Sequence, residues 1–73
     1  MERKGTMKEI QIAMDIAEAN KERISKLTPS LGMGIIFDEL MDKFDARLGE
    51  ISIAELDRFR AATIYAYEKV IES

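Results

Sequence analysis

The chain has 73 residues, 47% hydrophobic and 34% charged, with a net charge of −3 and neither cysteine nor histidine. That length makes one domain, and that balance excludes both a disordered polar chain and a membrane span of about 20 apolar residues. The missing residue types exclude disulfide staples, thiolate metal sites and the commonest general base, and the acidic balance argues against a phosphate-binding face.

Met1-Glu2-Arg3-Lys4-Gly5 carries charges with no apolar segment behind them. No secretory signal is expected there, a cytoplasmic location is, and residues 1–5 are expected to be disordered. Thr6 and Glu9 then have capping-box spacing, which predicts a first helix over 7–27. Ile10, Ala13, Ala17 and Ile24 recur along it at helical spacing, with Lys8, Gln11, Asp15, Glu18, Glu22 and Lys26 opposite. Pro29 cannot continue the hydrogen-bond ladder and biases Thr28 away from helical backbone, so the first helix ends there.

A second helix is expected over 34–48, with Phe37, Leu40, Met41, Phe44 and Leu48 in one stripe and Asp38, Glu39, Asp42 and Asp45 away from it. Gly32 and Gly34 loosen the residues before it, and Gly49 suits the left-handed position that closes a helix. Ser52 and Glu55 repeat the capping-box spacing and open a third helix over 53–71. Its main stripe is Leu56, Phe59, Thr63, Ala66 and Val70. No strand alternation occurs anywhere. The fold class is therefore all-α, a single three-helix domain spanning 1–73, with completion as a homodimeric helical bundle as a further expectation.

That further expectation comes from the width of the apolar surface. Projected at about 100° per residue, helix 1 carries a second edge of Ile12, Ile16 and Ala19, and helix 3 a second stripe of Ile53, Ile64, Tyr67 and Ile71. One stripe about 100° wide suffices for a surface helix. The surplus points either to an interface built from helices 1 and 3, or to helices that each touch both neighbours inside one bundle. Small size favours the interface, since a core below about 80 residues rarely supplies more than about 3–5 kcal/mol.

Asn20 lies in the apolar arc of helix 1, where it would pair with its symmetry mate across a dimer seam or else mark a local irregularity. Tyr65 lies beside Ala54, Ala61, Arg58 and Lys69, a flat patch with the residue types enriched in binding hot spots. The candidate interface residues are thus Ile12, Ile16, Asn20, Ile53, Ile64, Tyr65, Tyr67 and Ile71.

Three stretches resemble known families. Glu39-Leu40-Met41-Asp42 is similar to the ExxD element of the all-α nucleotide pyrophosphatases, a likeness that implies Mg²⁺-dependent hydrolysis with Glu18 and Glu22 as partners from helix 1. That family carries paired glutamates in an EExxE element, whereas Glu18 and Glu22 are single residues four apart. Asp42 to Asp45 followed by Gly49 to Leu56 resembles an EF-hand loop, which implies Asp45 as first ligand and Glu55 as the closing bidentate one. The loop is one residue short and Arg47 stands where a carboxylate belongs, so the implied calcium site is broken. Glu50 to Val70 is similar to the Hha family of small helical regulators that bind nucleoid proteins, on Ser52, Glu55, Leu56, Phe59 and Ala62. Ile64 falls where that family has the acidic residue that engages its partner.

Without His or Cys no catalytic triad is available, and Gly32-Met33-Gly34 lacks the strand that a phosphate loop needs. Lys21, Arg23, Lys26, Lys43, Arg47, Arg58, Arg60 and Lys69 are dispersed among acids rather than gathered on a recognition helix. The sequence therefore predicts a small non-enzymatic interaction module, a regulator or inhibitor whose partner is another protein or a second copy in a homodimer. No catalytic, cofactor or metal residue is assigned, no membrane partner is expected and nucleic acid is disfavoured. The alternatives are a metal-dependent nucleotide hydrolase using Glu18, Glu22, Glu39 and Asp42, and a DNA-associated regulator.

Overall fold

Helices build most of the described chain: α1 (Lys4–Ala19), α2 (Lys21–Ser25), α3 (Pro29–Lys43) and α4 (Ile53–Ala66), with α4 running on into a π-helical turn over Tyr67–Ile71. These come from a computed structural model that describes residues 4–46 and 49–72, of which 4–7 by backbone alone. No helix among the described residues is long and apolar enough to cross a membrane. The all-α class stands, and the break at Asn20 and the two ends of α3 each have a local cause.

The first helix begins at Lys4, so Thr6 lies inside it and not at its cap, and residues 4 and 5 are helical. Residues 1–3 lie outside the described residues. The predicted single helix over 7–27 is interrupted at Asn20, whose backbone sits at φ −112° and ψ 15°. There both the Asn20 backbone N–H and the side-chain Nδ2 donate to the Ile16 carbonyl, at 3.0 and 2.9 Å. The side-chain amide competes with the ladder, as Asn does within helices, and the chain turns into α2. Asn20 is thus the local irregularity, with its amide satisfied inside its own chain.

The second long helix starts five residues earlier than expected. Thr28 is extended at φ −65° and ψ 156°, its hydroxyl accepts from Leu31 N at 3.4 Å, and Pro29 takes the first helical position. Proline belongs there, because its missing N–H is one that a helix start leaves unpaired in any case. The helix also stops earlier, at Lys43. Asp45 adopts left-handed backbone at φ 54°. Asp45 N donates to Asp42 O at 3.0 Å and Ala46 N to Met41 O at 2.9 Å, the pair of reversed bonds of a Schellman stop. Gly49 plays no such part, since no described glycine has positive φ, and Leu48, like Arg47, lies outside the described residues.

α4 opens as the sequence predicts. Glu55 N donates to Ser52 Oγ at 3.2 Å while Ser52 N donates to Glu55 Oε1 at 3.1 Å, a complete capping box. Near its end the buried Thr63 hydroxyl donates back to Phe59 O at 2.8 Å. The backbone then widens, and Glu72 N bonds to Tyr67 O at 3.2 Å, five residues back.

The core sits where α1, α3 and α4 meet, with Ile24 of α2 and Tyr67 and Val70 of the π turn closing it. Ile24, Ile36 and Leu40 are its largest fully buried side chains. Ala13 and Ala17 on α1, and Ala62 and Ala66 on α4, are also buried, and these small residues suit the close packing of the two helices, which is the most extensive in the fold. α1 also packs on α3 and on the π turn. The wide apolar arc of the first helix is therefore covered on several sides from within the chain.

Candidate interaction surface

Among its described side chains, α1 leaves no large hydrophobic one exposed for a partner. Ile16 is 4% exposed, so it is a core residue, and Ile12 is half-buried against the core. Tyr67, 5% exposed, and Ile71, half-buried, are likewise turned to the core from the π turn. Asn20 is half-buried and bonded to Ile16 O. Among the expected interface residues only Ile53, Ile64 and Tyr65 are exposed.

These three do not form one patch. Ile53 and Ile64 share a face of α4 but are eleven residues apart, roughly 16 Å along the axis, with Asp57 and Arg60 between them. Tyr65 is one residue, about 100°, further round. Its ring lies 5.5 Å from Lys69 Nζ, close enough for a cation–π contact along the helix.

Ile64 instead joins a groove that runs between α3 and α4. Met33, Gly34 and Phe37 line it from α3, and Arg60, Thr63 and Ile64 from α4. Met33 and Phe37 are half-buried and Ile64 is 42% exposed, so the lining is apolar with Arg60 at its edge. Gly34 keeps the α3 wall low: a Cβ built there meets nothing within 4 Å. Leu31, 60% exposed, adds a further unpartnered apolar side chain on α3.

Sequence reasoning missed the α3 contribution because it began that helix at Gly34. The signal was present in Thr28-Pro29, an N-cap followed by proline at the first helical position. From Pro29, residues 30, 33, 34 and 37 fall on one face.

The acids of the hydrolase alternative are scattered. Glu18, Glu22 and Asp42 are exposed and Glu39 half-buried, and the Asn20 break separates Glu18 on α1 from Glu22 on α2. No three acidic side chains among the described residues are placed to hold a metal ion together. Asp45, first ligand of the implied EF-hand, is the left-handed stop of α3, and Glu55 is held in the α4 cap.

One acid behaves otherwise. Glu9, expected to cap the first helix, is buried at 5% exposure and its Oε2 meets Arg58 Nε of α4 at 3.5 Å. Its Oε1 is buried with no hydrogen-bond partner among the described residues.

Comparison with protein-family models, with curated proteins and with solved structures found no match to this chain.

Proposed function

We propose that this chain is a small non-enzymatic interaction module whose α3–α4 groove receives an apolar helix face of another protein or of a second copy. The observation that carries the reading is the groove itself: Met33, Phe37 and Ile64 form an apolar surface that no part of the described chain covers. A hydrophobic trough between two helices is the shape in which amphipathic helices dock. Burial there would also add to a core that is small for a free-standing domain.

The reading moves the expected contact from helices 1 and 3 to α3 and α4. It retains Ile64 as the central residue and leaves Ile16 and Tyr67 to the core. The test is light scattering of the wild-type chain and of Ile64→Asp over a concentration series, followed by capture of partners with both. Ile64→Asp should stay folded, because its side chain is already partly in water, and should lose the dimer or the captured partner. Ile16→Asp serves as the contrast and should unfold, since it places a carboxylate in the core. A wild-type chain that stays monomeric and captures the same proteins as Ile64→Asp ends the proposal.

A further inference from the structure

We infer that two copies of the chain pair through antiparallel α4 helices, with Ile53 of each seated in the α3–α4 groove of the other and Asp57 of each against Arg60 of the other. The inference rests on the docking reading above and names the occupant of the groove as a second copy.

It starts from four residues. Ile53, Asp57, Arg60 and Ile64 follow one another at spacings of four, three and four. At about 100° per residue they fall within about 60° of one another round α4, a single narrow face. All four are exposed, Ile53 at 85% and Ile64 at 42%. Asp57 and Arg60 stand close enough along the helix to pair with each other. Yet no ion pair or hydrogen bond reaches either side chain among the described residues.

The order along that face is apolar, acidic, basic, apolar. Read backwards it is its own charge complement. Ile53 and Ile64 have the same midpoint as Asp57 and Arg60, between Arg58 and Phe59. A two-fold axis across the helix at that point sets residue 53 opposite residue 64 of the second copy, and residue 57 opposite residue 60. Each contact then occurs twice, as an isologous interface requires. A parallel pairing of the same faces would put Asp57 on Asp57 and Arg60 on Arg60, and like charges are costly at an interface. Charge therefore selects both direction and register.

The apolar ends complement each other in shape as well. Ile53 stands on the first turn of α4 with most of its surface uncovered. Ile64 sits on the groove lined by Met33 and Phe37, where Gly34 keeps the α3 wall low. In the antiparallel pair Ile53 of one copy lies beside Ile64 of the other and fills that groove. One arrangement thus covers both apolar features, at each end of the seam. An interface of one helix pair and two seated side chains is small, so micromolar or weaker affinity is expected.

The test is sedimentation velocity of the full chain at concentrations up to about 1 mM, with charge-reversal variants. Asp57→Arg alone and Arg60→Asp alone should each weaken the dimer by about ten-fold or more, because symmetry makes each change act twice. Mixed one to one, the two variants should dimerise again, since every acid once more meets a base. The chain carrying both changes should dimerise as the wild type does. The substituted positions are exposed, and thermal melts verify folding. Cross-linking reads the direction separately, in a chain with no cysteine of its own. Ile53→Cys mixed with Ile64→Cys should form a disulfide on oxidation, and either alone far less. Only the antiparallel register brings those two positions within the roughly 7 Å between Cα atoms that a disulfide spans. A dimer that the single reversals leave unchanged, or that mixing them fails to restore, would overturn the inference. So would a wild-type chain that is monomeric at about 1 mM. If that monomer still captures another protein through Ile64, the docking reading stands without the inference; if it does not, both fall.

Discussion

Gly32 and Gly34 stand two residues apart in one helix, both with ordinary helical backbone, and alanine at the two positions should act in opposite directions. In α3 generally, alanine is favoured over glycine by up to about 1 kcal/mol, because glycine loses more backbone freedom on folding. At Gly34 nothing opposes that gain, since a Cβ there meets open space. At Gly32 a Cβ would stand 2.7 Å from Ile24 Cγ2 and 3.0 Å from Tyr67 Cε1. Neither neighbour can yield cheaply. Ile24 is β-branched and fully buried, and Tyr67 is a ring at 5% exposure in the π turn.

Overpacking of this kind costs about 1–3 kcal/mol and exceeds the propensity gain. The net expectation for Gly32→Ala is a loss of roughly 1–2 kcal/mol, which in a domain of this size lowers the Tm by about 4–16 °C. Gly34→Ala should raise the Tm by a few degrees. Thermal melts followed by circular dichroism on both variants decide the matter. A Gly32→Ala variant as stable as the wild type would refute the packing of α3 against Ile24 and Tyr67. It would also remove the reason given for a glycine there.

Three further substitutions test the helix ends and the buried acid. Ser52→Ala removes one half of the α4 capping box and should cost about 1 kcal/mol in urea denaturation, with an unchanged dependence on denaturant. Asp45→Gly relieves the left-handed backbone at the α3 stop and should stabilise by about 0.5–1 kcal/mol; a loss instead would show that Asp45 contributes more through its side chain than its φ costs. Glu9→Met replaces a buried, half-satisfied carboxylate with an apolar side chain of similar length. Arg58 is hydrated enough to lose its partner, so the variant should gain about 1 kcal/mol, and a large loss would mean that the ion pair holds α1 to α4.

What could be read in the sequence was what neighbouring residues decide. The start of α4 was legible because Ser52 and Glu55 satisfy each other within one turn, and the buried stripe of Phe59, Thr63 and Ala66, continued by Val70 of the π turn, follows from helical spacing, although Leu56 at its start is only half-buried. The start of α3 was legible in principle, in Thr28-Pro29, but Gly32 and Gly34 suggested a loosened segment. The reason for Gly32 lies in Ile24 and Tyr67, the latter 35 positions further on, and no local rule contains it. The same distance hides Glu9, which has a capping-box partner three residues before it but turns to Arg58, 49 residues away.

The apolar surplus shows the limit most clearly. Periodicity measures how wide an apolar face is, and a wide face means that a helix has more than one neighbour. It does not say whether that neighbour belongs to the same chain. For Ile16 it does: the residue is only 4% exposed, on a helix that packs on α3, α4 and the π turn. For Ile64 it does so only in part, and the residue stays 42% exposed beside a groove that Phe37 and Thr63 also line. The two isoleucines carry equal weight in an apolar pattern. Only their packing separates a core residue, whose loss should unfold the domain, from a surface residue, whose loss should cost it a partner.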